Sequence, residues 1–482
     1  MTFLIFKVIF LICAVVGTSF LIPVSVAVLC KEYSVLPSFI IPLAASWILG
    51  LVFVLFGGKK KKKVTLSIRA SFAVVAVAWI TVGLYGAIPF LISGSIPRVV
   101  DAVFESVSGF STTGATILND VEVLPRSINL WRCLSHWLGG MGIVALTVAL
   151  MPVLGVGGFQ LIKAETTGPE KGKFTSRITT TAKILWFIYF GMTVVHALLL
   201  KLAGMDWIDS LSHAFSTLGT GGFSTKNASI GHYNSAAIDW ICTTFMFLSG
   251  INFTLYYYMF IREFSEIRSN TEFKAYIGIT VTSVVLITLL QIGYFGGFFK
   301  SLRYSAFTVA SILTTTGYGV SDYTFWLPAS QCILFALFFI GGSSGSTSGG
   351  VKVIRWVILS KQMKNELLKI LHPHGIFSIR LNKRAGRKDV VYSVAAYFFL
   401  YAIFVLITMF IGTIARMDIF TSFTGAISMI GNVGPGFNAL GPSNNCAWLC
   451  DGVKWWYCLA MIAGRLELFT LFIFLIPDYW RK

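Results

Sequence analysis

Charge is scarce in this chain. Only 12% of its 482 residues are Asp, Glu, Lys or Arg, where an ordinary soluble domain has about 25%. Hydrophobic residues make up 56% and the mean hydropathy is +0.78. Soluble cores cannot hide that much apolar surface, and runs of roughly 20 apolar residues, long enough to cross a bilayer, recur from end to end. A soluble enzyme is excluded. The eight cysteines lie mostly inside apolar runs (Cys13, Cys242, Cys332) and form no CxxC pair, so neither a disulfide framework nor a cysteine metal site is expected. Cys446 and Cys450 are the exception: they share a polar stretch and could bridge if it faces an oxidising space. His136, His196, His213 and His232 lack HExxH or His/Cys spacing, which argues against a zinc site, and His372 and His374 fall in a basic, solvated stretch. Gly155–Gly158 and Gly219–Gly222 resemble half a nucleotide fingerprint, but neither follows a strand in a βαβ unit, so no nucleotide site is expected within this chain.

What is present is a series of spanning helices. Ten are expected, at 3–29, 36–57, 68–92, 129–155, 179–203, 236–261, 275–295, 328–371 (interrupted), 389–413 and 454–477. The apolar run Phe3 to Leu29 is too long for a signal-peptide core and lacks a small-x-small cleavage site, so it reads as a retained first helix. Four apolar segments are too short to cross, 99–113, 208–219, 303–316 and 418–431, and segments of this length are re-entrant candidates. An even number of crossings puts both termini on one side.

Lys and Arg number 38 against 20 Asp and Glu, for a net charge of +18. The face carrying the N-terminus, 57–69, 156–183, 262–274, 352–388 and the C-terminus holds 27 of the 38 basic residues. Ten lie on the other face and one, Arg465, within a helix. The positive-inside rule makes the rich face cytoplasmic. The run Lys59 to Lys63 is then a topology determinant first and an anionic-lipid contact second. The basic excess calls for no nucleic acid. Segment 352–388, with ten basic residues against Glu366 alone, could dock an acidic partner or anionic lipid.

After residue 65 one pattern occurs four times: long helix, short apolar segment, Gly/Thr-rich stretch, long helix. The stretches read SGFSTTGAT (108–116), STLGTGGFST (216–225), ILTTTGYGVSD (312–322) and MIGNVGPGFN (429–438). Aligning them on Gly114, Gly221, Gly317 and Gly434 places Phe104, Leu211, Phe307 and Thr424 ten residues earlier. Irregular backbone at membrane depth is tolerated only inside protein or beside water. Four such loops from one chain can satisfy that by meeting on one axis and directing carbonyls at it, where an ion exchanges its water for those oxygens. Glycine is needed because such loops visit dihedrals closed to residues with a Cβ. The short helices would aim their partially negative C-terminal ends at the axis, which favours a cation. Thr315-Thr316-Gly317-Tyr318-Gly319 is close to the potassium-channel filter TVGYG.

With HWLGGMGIVALTVALMPVLGVGG (136–158), AETTGP (164–169), TTTGYG (314–319), GGSSGSTSGG (341–350) and GNVGPG (431–436), the chain resembles the TrkH/KtrB family of potassium-translocating subunits over nearly its whole length. The extra helix pair before residue 65 leans toward TrkH. The resemblance implies an all-α polytopic membrane protein of the bacterial inner membrane, not an enzyme, with a pseudo-fourfold pore and potassium as its ion. It also implies a homodimer and a cytoplasmic, nucleotide-binding, TrkA-like regulatory ring. The expected units are the helix pair 1–64 and pore repeats 65–160, 161–265, 266–375 and 376–482. Thr113, Gly114, Thr220, Gly221, Thr316, Gly317, Val433 and Gly434 are expected at the filter centre, with Thr112, Gly219, Thr315 and Asn432 in the layer below.

The third inner helix is broken by Gly341, Gly342, Ser343, Ser344, Gly345, Ser346, Thr347, Ser348, Gly349 and Gly350. Ten such residues cannot form a stable lipid-facing helix, because each interior Gly costs about 1 kcal/mol. The stretch reads as a gate loop below the filter, or else as a static packing break. A Gly-x-Ser nucleophile would need a His or Asp partner that no inner segment supplies. Arg465 lies near mid-membrane, where an arginine is costly and functional by default. It reads as a pore-facing charge touching the gate loop, with a structural ion pair as the alternative. A potassium symporter coupled to sodium or proton is the rival function. Such carriers usually use inverted repeats, whereas these four run in the same direction.

Overall fold

The computed structural model describes residues 2–56, 68–142, 178–382, 384–385 and 388–481. Lys59 to Lys63, the AETTGP stretch and most of 136–158 lie outside the described residues.

The surface is apolar as well as the core. Phe399, Leu406 and Phe410 on the helix Lys388–Ile414 are exposed, as are Val281, Val285 and Leu289 on Thr271–Phe295. Ser and Thr side chains of the short central helices are buried, among them Ser108, Ser216, Thr217, Ser311 and Ser428. An exposed apolar belt is what a bilayer demands of a surface, and the buried Ser and Thr set a polar centre within an otherwise apolar core.

Six helices among the described residues are long and apolar enough to span, and two bent pairs raise the count to eight. Of the ten expected spans, 328–371 was expected to be interrupted, and two further inner ones, 236–261 and 454–477, are corrected from continuous to bent. Ala236–Ser249 and Phe253–Phe260 meet at 91°, and Asp451–Arg465 meets Phe469–Leu475 at 109°. The expected span 328–371 is Pro328–Leu337 and Val353–Leu371 with an irregular stretch between them. The expected span 129–155 is helical from Arg126 to Gly140, and its remainder lies outside the described residues. A sharp bend needs a local cause. At 250–252 it is Gly250 followed by Asn252, whose side chain caps the next helix by accepting from Thr254 N at 2.8 Å. At 465–468 it is Glu467 and Leu468, both at positive φ.

Thr2–Ser19 and Leu36–Phe56 pack on Ile68–Ile92, and Leu21–Leu29 packs on Arg126–Gly140. Glu32 joins this unit to the rest. Its carboxylate accepts from Arg126 N (2.8 Å), Ser127 N (3.1 Å) and Ser127 Oγ (2.5 Å), so it caps the positive N-terminal end of helix Arg126–Gly140. Cys446 is buried and Cys450 exposed, and the two are not bridged. Instead, the Cys446 N–H donates to Thr116 O at 2.7 Å. The basic segment after Leu371 contains a two-residue antiparallel pair, Arg380–Leu381 with Arg384–Ala385, a minor departure from an all-α fold.

The four short helices form where expected: Val99–Phe110, Trp207–Gly219, Phe298–Leu313 and Ile419–Gly431. Their C-terminal ends and the loops that follow meet at the centre.

Candidate functional site

All four short helices end in the same way. A residue in the left-handed region closes each one: Thr112 (φ 58°), Thr220 (54°), Thr315 (57°) and Asn432 (54°). The next N–H then reaches back to a serine carbonyl: Thr113 to Ser108 (2.9 Å), Gly221 to Ser216 (2.9 Å), Thr316 to Ser311 (2.8 Å) and Val433 to Ser428 (2.9 Å). This is the Schellman ending, which uses up some of the helix's orphan carbonyls and turns the chain sharply away from the helix axis. Two residues beyond the left-handed residue, a glycine returns to positive φ: Gly114 (78°), Gly222 (82°), Gly317 (78°) and Gly434 (94°).

Those glycines close a ring. A Cβ on Gly114 would collide with the Gly221 carbonyl oxygen, one on Gly222 with Thr316 O, one on Gly317 with Val433 O, and one on Gly434 with Thr113 O. Each repeat thus lays its glycine against the carbonyl of the next repeat, and the fourth returns to the first. Positive φ and close approach both restrict these positions to glycine.

The ring corrects the expected register in repeat two. Gly219 is the last helical residue rather than a partner of Thr112, Thr315 and Asn432. Thr220 takes that place, Gly221 joins Thr113, Thr316 and Val433, and Gly222 is the counterpart of Gly114, Gly317 and Gly434. In GTGG three glycines compete for one position, and the helix runs one residue further than the first of them suggests. A sequence signal for the right register existed: Ser and Gly six apart recur as Ser108/Gly114, Ser216/Gly222, Ser311/Gly317 and Ser428/Gly434.

Side chains behind the ring hold it from outside. His136 stacks on Phe223 (centroids 4.2 Å apart), and its Nδ1 lies 2.9 Å from Ser216 Oγ. Tyr318 is buried and donates from its hydroxyl to His213 O at 3.2 Å. Asn432 donates to Thr113 Oγ1 (3.0 Å) and Met461 O (2.9 Å). Arg132 and Glu105 form a fully buried ion pair at 2.7 Å. Arg132 and Lys454 are two of the ten basic residues that the charge pattern assigns to the non-cytoplasmic face. Both are interior, Lys454 paired with Asp101 at 2.7 Å. Hydropathy cannot distinguish a charge at the water boundary from one paired inside.

The stretch 341–350 lies against the ring. Gly349 N donates to Thr315 Oγ1 at 2.7 Å, and a Cβ on Gly349 would press on Gly431 O and Asn432. It also meets the breaks of the other inner helices. Ser343 N donates to Gly250 O (2.9 Å), Thr347 Oγ1 to Ser249 O (3.3 Å), and Phe253 N to Gly345 O (3.0 Å). Arg465 donates to Thr347 O (2.8 Å) and to Gly139 O (2.7 Å) and Gly140 O (2.9 Å). The carbonyls left over where helices Arg126–Gly140 and Ala236–Ser249 end are thus satisfied by this loop and by Arg465. Glu467 pairs with Arg355, which also sits 3.7 Å from the Tyr397 ring centre. Sequence reasoning missed two further holders. Glu272 Oε1 accepts from Ser344 N (2.6 Å) and Ile354 N (3.1 Å), and Lys352 donates to Ser348 O. Of the residues expected at the gate, Gly341, Gly342, Ser343, Ser344, Thr347, Ser348 and Gly349 are buried, Ser346 and Gly350 half-buried, and Gly345 exposed.

The arrangement provides a closed ring of main-chain oxygens with a polar plug of main chain beside it, inside an apolar shell. Carbonyl rings of this kind can substitute for the hydration shell of a small cation.

Residues 44–482 match the family model described as TrkH, cation transport protein. The Trk system potassium uptake protein TrkH of Halomonas elongata is 38% identical over 424 residues, covering 86% of this chain and 87% of that protein. The Escherichia coli K12 protein TrkG, also named a Trk system potassium uptake protein, is 34% identical over 474 residues and 96% of each chain. The crystal structure of the potassium transporter TrkH from Vibrio parahaemolyticus superposes with a TM-score of 0.86 at 34% identity, covering 100% of both chains. The chain is a multi-pass membrane protein that belongs to the TrkH family of cation transport proteins.

Proposed function

We propose that this chain is the potassium-translocating subunit of a Trk-type uptake system, passing the ion by dehydration at a main-chain filter. One observation carries the reading: the closed ring in which Gly114, Gly222, Gly317 and Gly434 each abut the carbonyl of the next repeat. The filter oxygens are then those of Thr113, Gly221, Thr316 and Val433, with Thr112, Thr220, Thr315 and Asn432 beneath. Potassium is cargo rather than a resident cofactor. The relatives' description as Trk system potassium uptake proteins supports the choice of ion.

The stretch 341–350 is the gate in this reading, and Arg465 a latch on it, supported by its bonds to Thr347 on one side and Gly139 and Gly140 on the other. The chain divides into a helix pair, 1–64, and four pore repeats, 65–160, 161–265, 266–375 and 376–482. It works as a homodimer in the bacterial inner membrane with both termini cytoplasmic. A TrkA-like nucleotide-binding ring controls it from the basic face.

The test is electrical. With the full chain reconstituted in vesicles, the reversal potential is expected to follow the potassium gradient alone. A reversal that moves with a proton or sodium gradient at fixed potassium would overturn the channel reading in favour of coupled symport.

A further inference from the structure

The two residues after each ring glycine, Ala115–Thr116, Phe223–Ser224, Tyr318–Gly319 and Pro435–Gly436, begin an irregular run of chain, here called exit strands one to four, and these are braced in a pattern of their own. The carbonyl two residues past each glycine accepts one bond from the preceding repeat. Thr116 O accepts from Cys446 N (2.7 Å), Ser224 O from Arg132 Nη1 (3.2 Å), Gly319 O from Gly231 N (3.2 Å), and Gly436 O from Tyr323 Oη (2.7 Å). Positions are equivalent and the direction around the ring is constant, but the donors differ: two main-chain amides, one guanidinium and one phenol.

The guanidinium brace is the elaborate one. Arg132 is buried within the fold, and Glu105 on the first short helix fixes it through Nε (2.8 Å) and Nη2 (2.7 Å). The same carboxylate accepts from Thr116 Oγ1 (2.9 Å) and Ile117 N (3.0 Å) in the first exit strand. Arg132 also donates to Asn129 Oδ1 (2.8 Å), whose amide reaches Val121 O (3.0 Å), and its guanidinium lies 4.3 Å from the centre of the Phe223 ring. One ion pair therefore ties exit strand one to exit strand two. A buried pair is weak evidence for stability, because desolvation offsets much of its attraction. It does impose geometry, since a guanidinium fork and a carboxylate accept few mutual arrangements.

We propose that Arg132 with Glu105, and Tyr323, are positioning residues for ion selection: they set the spacing of the filter oxygens by fixing the Ser224 and Gly436 carbonyls, without touching the ion. The proposal rests on the filter reading above. It concerns the discriminating power of the ring, whereas a purely structural pair would govern only how much protein folds.

The experiment measures the potassium-to-sodium permeability ratio of full-length protein in bi-ionic vesicles, on the folded fraction isolated by gel filtration. Glu105→Gln keeps an acceptor for Arg132 but removes the charge that fixes the guanidinium, weakening both of its bonds to that oxygen, and is expected to lower the ratio roughly tenfold. Tyr323→Phe removes one oxygen from an otherwise unchanged site, so it tests the proposal even if Glu105→Gln does not fold, and is expected to lower the ratio roughly twofold to threefold. Gly434→Ser serves as the control on the ring itself. If it lowers the ratio while Glu105→Gln and Tyr323→Phe leave theirs at the wild-type value, the bracing proposal is overturned and the filter reading stands. If Gly434→Ser also leaves the ratio unchanged, the filter reading itself fails and takes the bracing proposal with it.

Discussion

In the ring, the main chain allows only glycine at four places: φ is positive at Gly114, Gly222, Gly317 and Gly434, and a neighbouring carbonyl fills the space of a Cβ at each. In the break at 341–350 only Gly345 and Gly350 take positive φ, and a Cβ on Gly345 would lie 3.0 Å from Asn252 Oδ1, a side-chain atom. The ring is held mainly by helix endings and repeat-to-repeat backbone contact. Much of the break is held by single side chains: Arg465 on Thr347 O, Glu272 on Ser344 N, Lys352 on Ser348 O and Thr315 on Gly349 N. Both segments are rich in glycine, and Gly341 and Gly349 of the break also lie against main-chain oxygens, but the ring adds positive φ at every such contact and the break adds side-chain bonds that can be released. A filter has to keep its dimensions, and a gate has to leave its place. In the proposed function the composition is shared, and the tethering separates the filter from the gate.

The largest expected effect comes from breaking the ring. Gly222→Ala should abolish potassium-selective flux as completely as Gly114→Ala, because both put a methyl group on a neighbouring carbonyl and force positive φ on a residue that resists it. Rubidium uptake and bi-ionic reversal potentials check this. Normal selectivity in Gly222→Ala would return the register of repeat two to Gly221 and undo the fourfold equivalence.

Next is the release of the gate. Deleting Gly345 to Ser348 should raise unregulated flux by about tenfold or more while leaving the permeability ratio alone, since the deletion removes plug and not ring. Arg465→Gln should act the same way but less strongly, because it unties Thr347 and the Gly139 and Gly140 carbonyls while the other tethers remain. Unchanged flux in vesicles for both variants would show the break to be static packing. A changed ratio with unchanged flux would place Arg465 in selection instead.

Much of this was legible in the sequence, and the failures have physical causes. Spans and short helices follow from hydropathy and length, which the bilayer imposes directly; hence Leu36–Phe56, Thr271–Phe295 and Ile419–Gly431 lie within a few residues of expectation. The break at 341–350 stood out because ten Gly, Ser and Thr residues cannot be a lipid-facing helix. The bend at Glu467 and Leu468 was hidden, because an apolar sequence such as LELFTLF gives no sign that its backbone takes positive φ. The register of GTGG was lost among adjacent glycines, although the serine six residues earlier carried it. The pairing of Arg132 was hidden because its partner, Glu105, is 27 positions away, and only the fold brings them together.

The finest discrimination between the two regions comes from Glu272. Its one oxygen accepts both Ser344 N, inside the break, and Ile354 N, in the first turn of the helix below. Glu272→Gln keeps an acceptor of the same shape but removes the charge. A charged acceptor is worth about 1.5–3 kcal/mol per bond and a neutral one about 0.5–1.5, so the closed gate should lose on the order of 1 kcal/mol, a severalfold shift in a two-state equilibrium. Flux should therefore rise a few-fold with the permeability ratio unaltered. Stopped-flow potassium efflux from vesicles resolves a change of that size. If Glu272→Gln instead altered the ratio and not the rate, ring and break would be one mechanical body, and the separation between a part fixed by backbone and a part held by side chains would fail at its weakest tether.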